Sequence, residues 1–271
     1  ADTWRISDDI LRSEALEKLL IAIDMPRDFA TRVMDVAYAK VPEFFGHASE
    51  YGGDGADEMA DQLCRALDNR AWGPWKDLPE TVWLDTMKCF TRFVRENIRS
   101  TGHAAAFDRA FWTTRQVEAK LFRLGELEYE LTEQDGERVI SIHAPSDAWL
   151  EPDRLNASAD TARDFLRTYF PDWASCDMVC HSWLLSPDLA PYLPDTSRIL
   201  RWQAAYDLQP DGDGKEAMLT WVFGLTAKQQ EEGVQLQNLP ENTALQRRLK
   251  ALLLQGGSIR EGRGRLARPF A

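Results

Sequence analysis

The chain has 271 residues, 44% of them hydrophobic, enough to bury one large core or two ordinary ones, and two are expected. Its formal charge of −12 opposes a general nucleic-acid or anionic-membrane binder, since both need a basic surface. No apolar run approaches the roughly 20 residues that cross a bilayer, and no basic segment followed by an apolar stretch opens the chain, so a soluble, cytoplasmic protein is expected. The four cysteines, Cys64, Cys89, Cys176 and Cys180, follow no disulfide-scaffold pattern and are expected as reduced thiols.

From Ser7 to about Phe122 the apolar period is helical. Ile10, Leu11, Leu16, Leu19, Leu20 and Ile23 recur at helical spacing before Pro26 stops the run. Further helices are expected at Arg27 to Ala39, Ala56 to Asn69, Leu78 to Ser100 and Ala104 to Phe122, with Gly52-Gly53-Asp54-Gly55 and Gly73-Pro74 as punctuation. Trp72, Trp75 and Trp83 cluster around one turn, where packing beneath a loop is the expectation and a groove lining the alternative.

Near Gly125 the period changes from 3.6 to 2, which places a domain boundary there. Leu127, Tyr129 and Leu131 alternate with Glu126, Glu128 and Glu130, and Asp135-Gly136 turns the chain into a partner strand, Arg138 to His143. The glutamates are expected on a solvated strand face, with attraction of a cationic substrate as the alternative. A helix from Ser158 to Phe170 precedes a strand, Met178 to Leu185. A hairpin of Arg198 to Leu208 and Ala217 to Phe223 around Asp211-Gly212-Asp213-Gly214 is expected next, then a helix, Thr243 to Gln255, and a last strand, Ser258 to Leu266. The fold class is α+β: an all-helical domain, 1–123, followed by a mixed, largely antiparallel sheet flanked by helices, 124–271.

The run from Met178 to Leu185 carries the polar groups that need explaining. At period two, His181 shares a face with Val179, Trp183 and Leu185. Burying an imidazole without a partner costs roughly 2 kcal/mol or more, so either a hydrogen bond satisfies it or the strand borders a cleft. Cys176, Cys180 and His181 are zinc-ligand types, but one ligand is missing and neighbouring strand residues point to opposite faces, so no metal is expected. For the same reason Cys180 and His181 cannot form a nucleophile and base pair, and Cys180 reads as a small core residue. No G-x-S-x-G turn, P-loop or dinucleotide fingerprint is present. Gly262-Arg263-Gly264 is too short and is followed by no helix. Thr243 and Gln246 form a capping-box pattern, and an exposed first turn carrying Arg247 and Arg248 would suit a pyrophosphate.

Taken in order, Leu124-Gly125-Glu126-Leu127-Glu128-Tyr129-Glu130, Ile142-His143-Ala144-Pro145-Ser146-Asp147, Cys180-His181-Ser182-Trp183-Leu184-Leu185, Leu239-Pro240 before Thr243-Ala244-Leu245-Gln246, and Gly256-Gly257 resemble a family of bacterial GNAT-like acyltransferases. In that family a helical N-terminal domain precedes a GNAT-related C-terminal domain, so the resemblance covers nearly the whole chain. It implies an N-acyltransferase that moves an acetyl or short acyl group from acetyl-CoA or another acyl-CoA to the amine of a small-molecule or peptide acceptor. The glutamine-or-arginine, glycine and glycine-or-alanine signature of GNAT enzymes is absent. Carried over, backbone amides near Val222 and Phe223, at the end of a strand, would polarise the thioester, and Thr243, Gln246, Arg247 and Arg248 would receive the pyrophosphate. His181 is the candidate base, with Asp147 or His143 orienting it or replacing it, and Tyr206 the candidate acid. His143, Ser182 and Trp183 are the candidate acceptor contacts. Two alternatives stand: a non-catalytic acyl-CoA or nucleotide-binding module of the same fold, and an interaction protein using the tryptophan-rich helical domain.

Overall fold

A computed structural model of the chain describes residues 3–39, 54–106 and 111–271. Contacts divide it into two units, Ala1–Arg123 and Leu124–Ala271. Among the described residues no helix is long and apolar enough to cross a membrane.

The first unit contains helices α1 (Thr3–Ala22), α2 (Arg27–Ala39), α3 (Ala56–Ala71), α4 (Glu80–Thr101) and α5 (Phe111–Val117). The apolar stripes read from the sequence meet in its core, where Leu16, Leu19, Leu20 and Ile23 lie buried with Phe29, Val33, Leu63, Met87 and Phe90. The α1–α2 turn is tied to α4, because Thr91 donates its hydroxyl to Ile23 O at 2.7 Å. Trp75 and Trp83 are buried. The Trp75 indole N–H donates to Gln116 O at 2.9 Å, whereas Trp72 is 84% exposed, so the three tryptophans do not share one role. The helix expected from Ala104 to Phe122 is shorter: α5 ends at Val117, and Leu121–Leu124 form strand β1, which carries the chain over the boundary. Gly52 and Gly53 of the glycine-rich loop lie outside the described residues.

In the second unit β2 (Leu127–Gln134) and β3 (Glu137–His143) pair antiparallel around Asp135 (φ 52) and Gly136 (φ 82), the double positive φ that an Asp-Gly hairpin turn needs. Helix α6 (Pro152–Tyr169) begins earlier than the expected Ser158, because Pro152 sits at its first position and suits that place. Then come β4 (Asp177–Ser182), α7 (Arg198–Ala204), β5 (Tyr206–Asp213), α8 (Lys215–Trp221), α9 (Ala227–Glu231), α10 (Ala244–Leu254) and β6 (Arg260–Leu266). The six-stranded sheet runs β1-β2-β3-β4-β6-β5, with β3 and β4 parallel and β4, β6 and β5 antiparallel.

Two expectations are corrected here. The hairpin of Arg198 to Leu208 with Ala217 to Phe223 does not form. Ser197 caps a helix at Arg198 by accepting the Ile199 N–H, Asp211 to Asp213 is an irregularity within β5 rather than a reversal, and Lys215–Trp221 is helical. The partner of β5 is β6. The strand expected to reach Leu185 ends at Ser182, whose hydroxyl accepts the Leu184 N–H and starts a tight helical turn, Trp183–Leu185.

Ser158 fastens α6 to the sheet. Its hydroxyl accepts the Leu127 N–H at 3.2 Å, lies 3.1 Å from the Tyr129 hydroxyl and donates to Leu124 O, while Gly125 (φ 72) brings the backbone so close that an added Cβ would meet Ser158 Cβ at 3.1 Å. Ser158→Ala leaves a buried amide and a buried carbonyl without that partner, so a loss of about 1–3 kcal/mol is expected in denaturant unfolding. A change below about 0.5 kcal/mol would contradict this reading of the contact.

Candidate functional site

The register of the sheet sorts its side chains into two faces. Tyr129, Ile140, Ile142, Met178 and Cys180 point into the core and are buried. The other face carries Glu128 and Glu130 on β2, Ser141 and His143 on β3, Val179 and His181 on β4, Glu261, Arg263 and Arg265 on β6, and Asp207 and Asp211 on β5. Both histidines named from the sequence therefore share one face.

The parallel ladder between β3 and β4 pairs Val139 with Asp177, Ile140 with Met178 and Ser141 with Val179, and ends there. β3 continues to His143 and β4 to Ser182, so the carboxyl ends of two parallel strands are not zipped together. Such an opening, beyond the carboxyl ends of parallel strands, is where sheets of this kind receive ligands. His143 stands on one side of it and His181 on the other.

His181 does not sit among apolar side chains as the strand periodicity suggested. Trp183 and Leu185 have left the strand, and the cross-strand partner of His181 is Arg263. Its Nε2 lies 3.0 Å from Glu261 Oε2 and 3.7 Å from Asp211 Oδ2, and its side chain is 50% exposed. The hydrogen bond to Glu261 raises the imidazole pKa above 6.5, with the charges of Glu261 and Asp211 adding to it and burial and Arg263 opposing. Sequence reasoning missed both carboxylates. Asp211 read as a turn residue, and the only signal for Glu261 was its alternation with Arg263 and Arg265 in the last strand.

His143 Nε2 lies 2.8 Å from Glu130 Oε2. The expected solvated glutamate face is not found: Glu128 is 2% exposed, Glu130 meets His143, and Glu126 pairs with Arg154 at 2.8 Å and accepts the Trp149 N–H. Asp147 occupies the exposed turn after β3, and the carboxylates beside His181 are Glu261 and Asp211 instead. Ser182 caps the turn that follows it, and Trp183 packs against the cluster of Leu189, Met218, Leu249 and Ile259. Tyr206 is buried. Its hydroxyl has no hydrogen-bond partner, and burial raises its pKa well above 10, which opposes the phenolate that an acid must become. Cys180 is buried, its thiol pushed up to about 12 by burial, as befits a core residue.

The strand, loop and helix order expected for a pyrophosphate is absent. Val222 and Phe223 end α8, and both their N–H groups donate to Met218 O, at 3.0 and 3.4 Å, so neither is free to polarise a carbonyl. The capping box of α10 forms as read: Thr243 Oγ1 accepts the Gln246 N–H and Gln246 Oε1 accepts the Thr243 N–H, both at 3.1 Å. Gln246 also donates to Val222 O at 2.9 Å, binding the end of α8 to α10. Arg247 and Arg248 donate to Glu241 O and Tyr192 O, at 2.8 and 2.7 Å.

No curated protein matches the chain. Among solved structures it is similar to an acyltransferase in complex with decanoyl-CoA and teicoplanin, at 23% identity over 93% of this chain and 88% of that one, with a TM-score of 0.75. An acyltransferase in complex with decanoyl-CoA is similar at 24% identity, over 93% and 87%, with a TM-score of 0.75. A mutant acyltransferase in complex with octanoyl-CoA matches at 24% identity, over 93% and 88%, again with a TM-score of 0.75. At these identities the likeness establishes a shared fold. Residues 121–266, more than half of the sequence, match the family described as GNAT-like C-terminal domain. With that match over its mixed sheet and the helices between the strands, the chain belongs to the GNAT-like C-terminal domain family.

Proposed function

We propose that the chain is a cytoplasmic acyltransferase that takes an acyl group from acyl-CoA and passes it to the amine of a small-molecule or peptide acceptor. The observation that carries this reading is the unzipped carboxyl end of the β3–β4 pair with a histidine and carboxylate dyad on its rim. The fold is shared with acyltransferases in complex with decanoyl-CoA and octanoyl-CoA, so medium-chain donors stand beside acetyl-CoA as candidates. None of Cys64, Cys89, Cys176 and Cys180 is in a disulfide, which suits a reducing compartment.

In this reading the amine nitrogen attacks the thioester carbonyl carbon, and its proton passes to His181 Nδ1, while Glu261 holds Nε2 and stabilises the imidazolium as it forms. The raised imidazole pKa makes a stronger base, and half-exposure lets it shed its proton after each turnover. The test is thiol release from octanoyl-CoA and acetyl-CoA over a panel of primary amines, beside calorimetric titration with the same donors. Amine-dependent release is expected. Binding without release by any amine would move the chain to the non-catalytic acyl-CoA module, and absence of binding to any acyl-CoA would end both readings.

A further inference from the structure

His181 and Glu261 account for the proton that leaves the amine, and no group so far accounts for the proton that the departing sulfur needs. An alkyl thiol titrates at about pH 8.5, so the leaving thiolate is a base at neutral pH and a positioned donor speeds its departure. Tyr206 is buried and disfavours the phenolate that a donor would leave behind.

One dyad is still without a role. His143 Nε2 lies 2.8 Å from Glu130 Oε2, and the two side chains are 18% and 13% exposed. A buried ionisable pair adds little stability over apolar residues of the same size, so the fold alone gives it no purpose. Its position does. The β3–β4 ladder ends at Ser141 and Val179, and His143 and His181 are each the second residue beyond that last pair. Side chains two residues apart on a strand share a face, so the two imidazoles stand at the same level and on the same side of the sheet. Zipped strands lie about 4.8 Å apart, and just past the last pair a carbonyl carbon held in the opening is flanked by both rings. Each ring has its Nε2 beside a carboxylate. They differ in access to water: His181 is 50% exposed and can release a proton to solvent, whereas His143 is more enclosed, as suits a donor whose proton is meant for the sulfur.

We propose that His143 is the proton donor to the leaving sulfur, held in place by Glu130, so that the two histidines divide the reaction between them. The proposal rests on the acyl-transfer reading. The amine nitrogen bonds to the carbonyl carbon, the C=O electron pair moves onto the oxygen, and the amine proton passes to His181. The pair then returns, the C–S bond breaks with its electrons on sulfur, and the sulfur takes the proton of His143 Nδ1 and leaves as a thiol. His181 gives its proton to water and His143 regains one from water, which restores both rings and leaves amide and thiol as the products.

The test changes the leaving atom and keeps the rest of the donor. The full chain is assayed with octanoyl-CoA and with the corresponding selenoester, octanoyl-seleno-CoA, whose selenolate is a far weaker base and leaves without a proton. His143→Gln should lower kcat about a hundredfold on the thioester and less than about threefold on the selenoester, while calorimetry shows octanoyl-CoA bound as in the wild type. Glu130→Gln leaves the ring present and should show the same split at smaller size, and it decides the matter if His143→Gln fails to fold. His181→Ala should lose activity on both donors, because the amine must still give up its proton. Any pattern other than that split, an equal loss on both donors or a loss on neither, overturns the role of His143 alone. A wild type that turns over neither donor with any amine overturns the acyl-transfer reading itself.

Discussion

Gly262→Ala should unfold the second unit at a temperature about 10 °C or more below that of the wild type. A Cβ at this position would lie 1.9 Å from Leu185 O and 2.3 Å from Leu185 C, both backbone atoms that cannot rotate aside. The turn that carries them is held from two directions. Ser182 caps it, and Gln203 donates to Leu184 O and Ser186 O, each at 2.9 Å. Relief therefore means displacing the turn or pulling β6 from β4, where Ser182 pairs with Gly262. Either loss exceeds about 4 kcal/mol, the range of severe core disruptions. Scanning calorimetry gives the answer, and a Tm within about 2 °C of the wild type would show that the turn does not press on β6 as described. The same contact explains Gly262-Arg263-Gly264 without a phosphate: the glycines admit Leu185 and Tyr206 on the core face, and Arg263 stands opposite His181 on the other.

The second large effect concerns chemistry. His181→Ala should lower turnover about a hundredfold or more with little change in folding, because the side chain is half exposed and anchors no core contact. A marked loss of Tm with near-normal activity would make the residue structural. Glu261→Gln tests the dyad. Its hydrogen bond is the largest cause of the raised His181 pKa. A base works in its neutral form, so the acid limb of the kcat/KM profile should lie above pH 6.5 in the wild type and move down toward 6.5 in the variant. The stability effect has a fixed sign. The folded pKa exceeds the unfolded one, so this contribution is fully present below the unfolded value and is lost as pH rises through the folded value. Glu261→Gln should thus lower Tm more at pH 5.5 than at pH 9, and an equal loss at both would remove the charged dyad from the argument.

Much of the fold is legible in the sequence wherever the signal is local. The stripe ending at Ile23 before Pro26, the Asp135-Gly136 turn and the Thr243–Gln246 capping box all formed as read, because neighbouring residues satisfy neighbouring backbone groups. Arg198 to Phe223 was misread for the same reason in reverse. Asp-Gly-Asp-Gly looks like a hairpin turn, yet the strand that pairs with β5 comes last in the chain, and Ser197 starts a helix where alternation suggested a strand. The assignment of the Val222 and Phe223 amides to the thioester carbonyl failed with it, since these residues close a helix and their amides are already bonded.

At the site, residue chemistry singled out His143 and His181, because polar groups in an apolar strand run need an explanation. Their partners were not legible. Glu130 meets His143 diagonally across a hairpin, and Glu261 and Asp211 reach His181 only because β6 inserts between β4 and β5. By itself the sequence determined periodicity, caps and turns, which depend on residues a few positions apart. Which strands lie side by side, where the β3–β4 ladder stops and which carboxylate faces which imidazole depend on pairings between distant segments. Those pairings are set by the packing of both sheet faces together, so only the tertiary structure decided them.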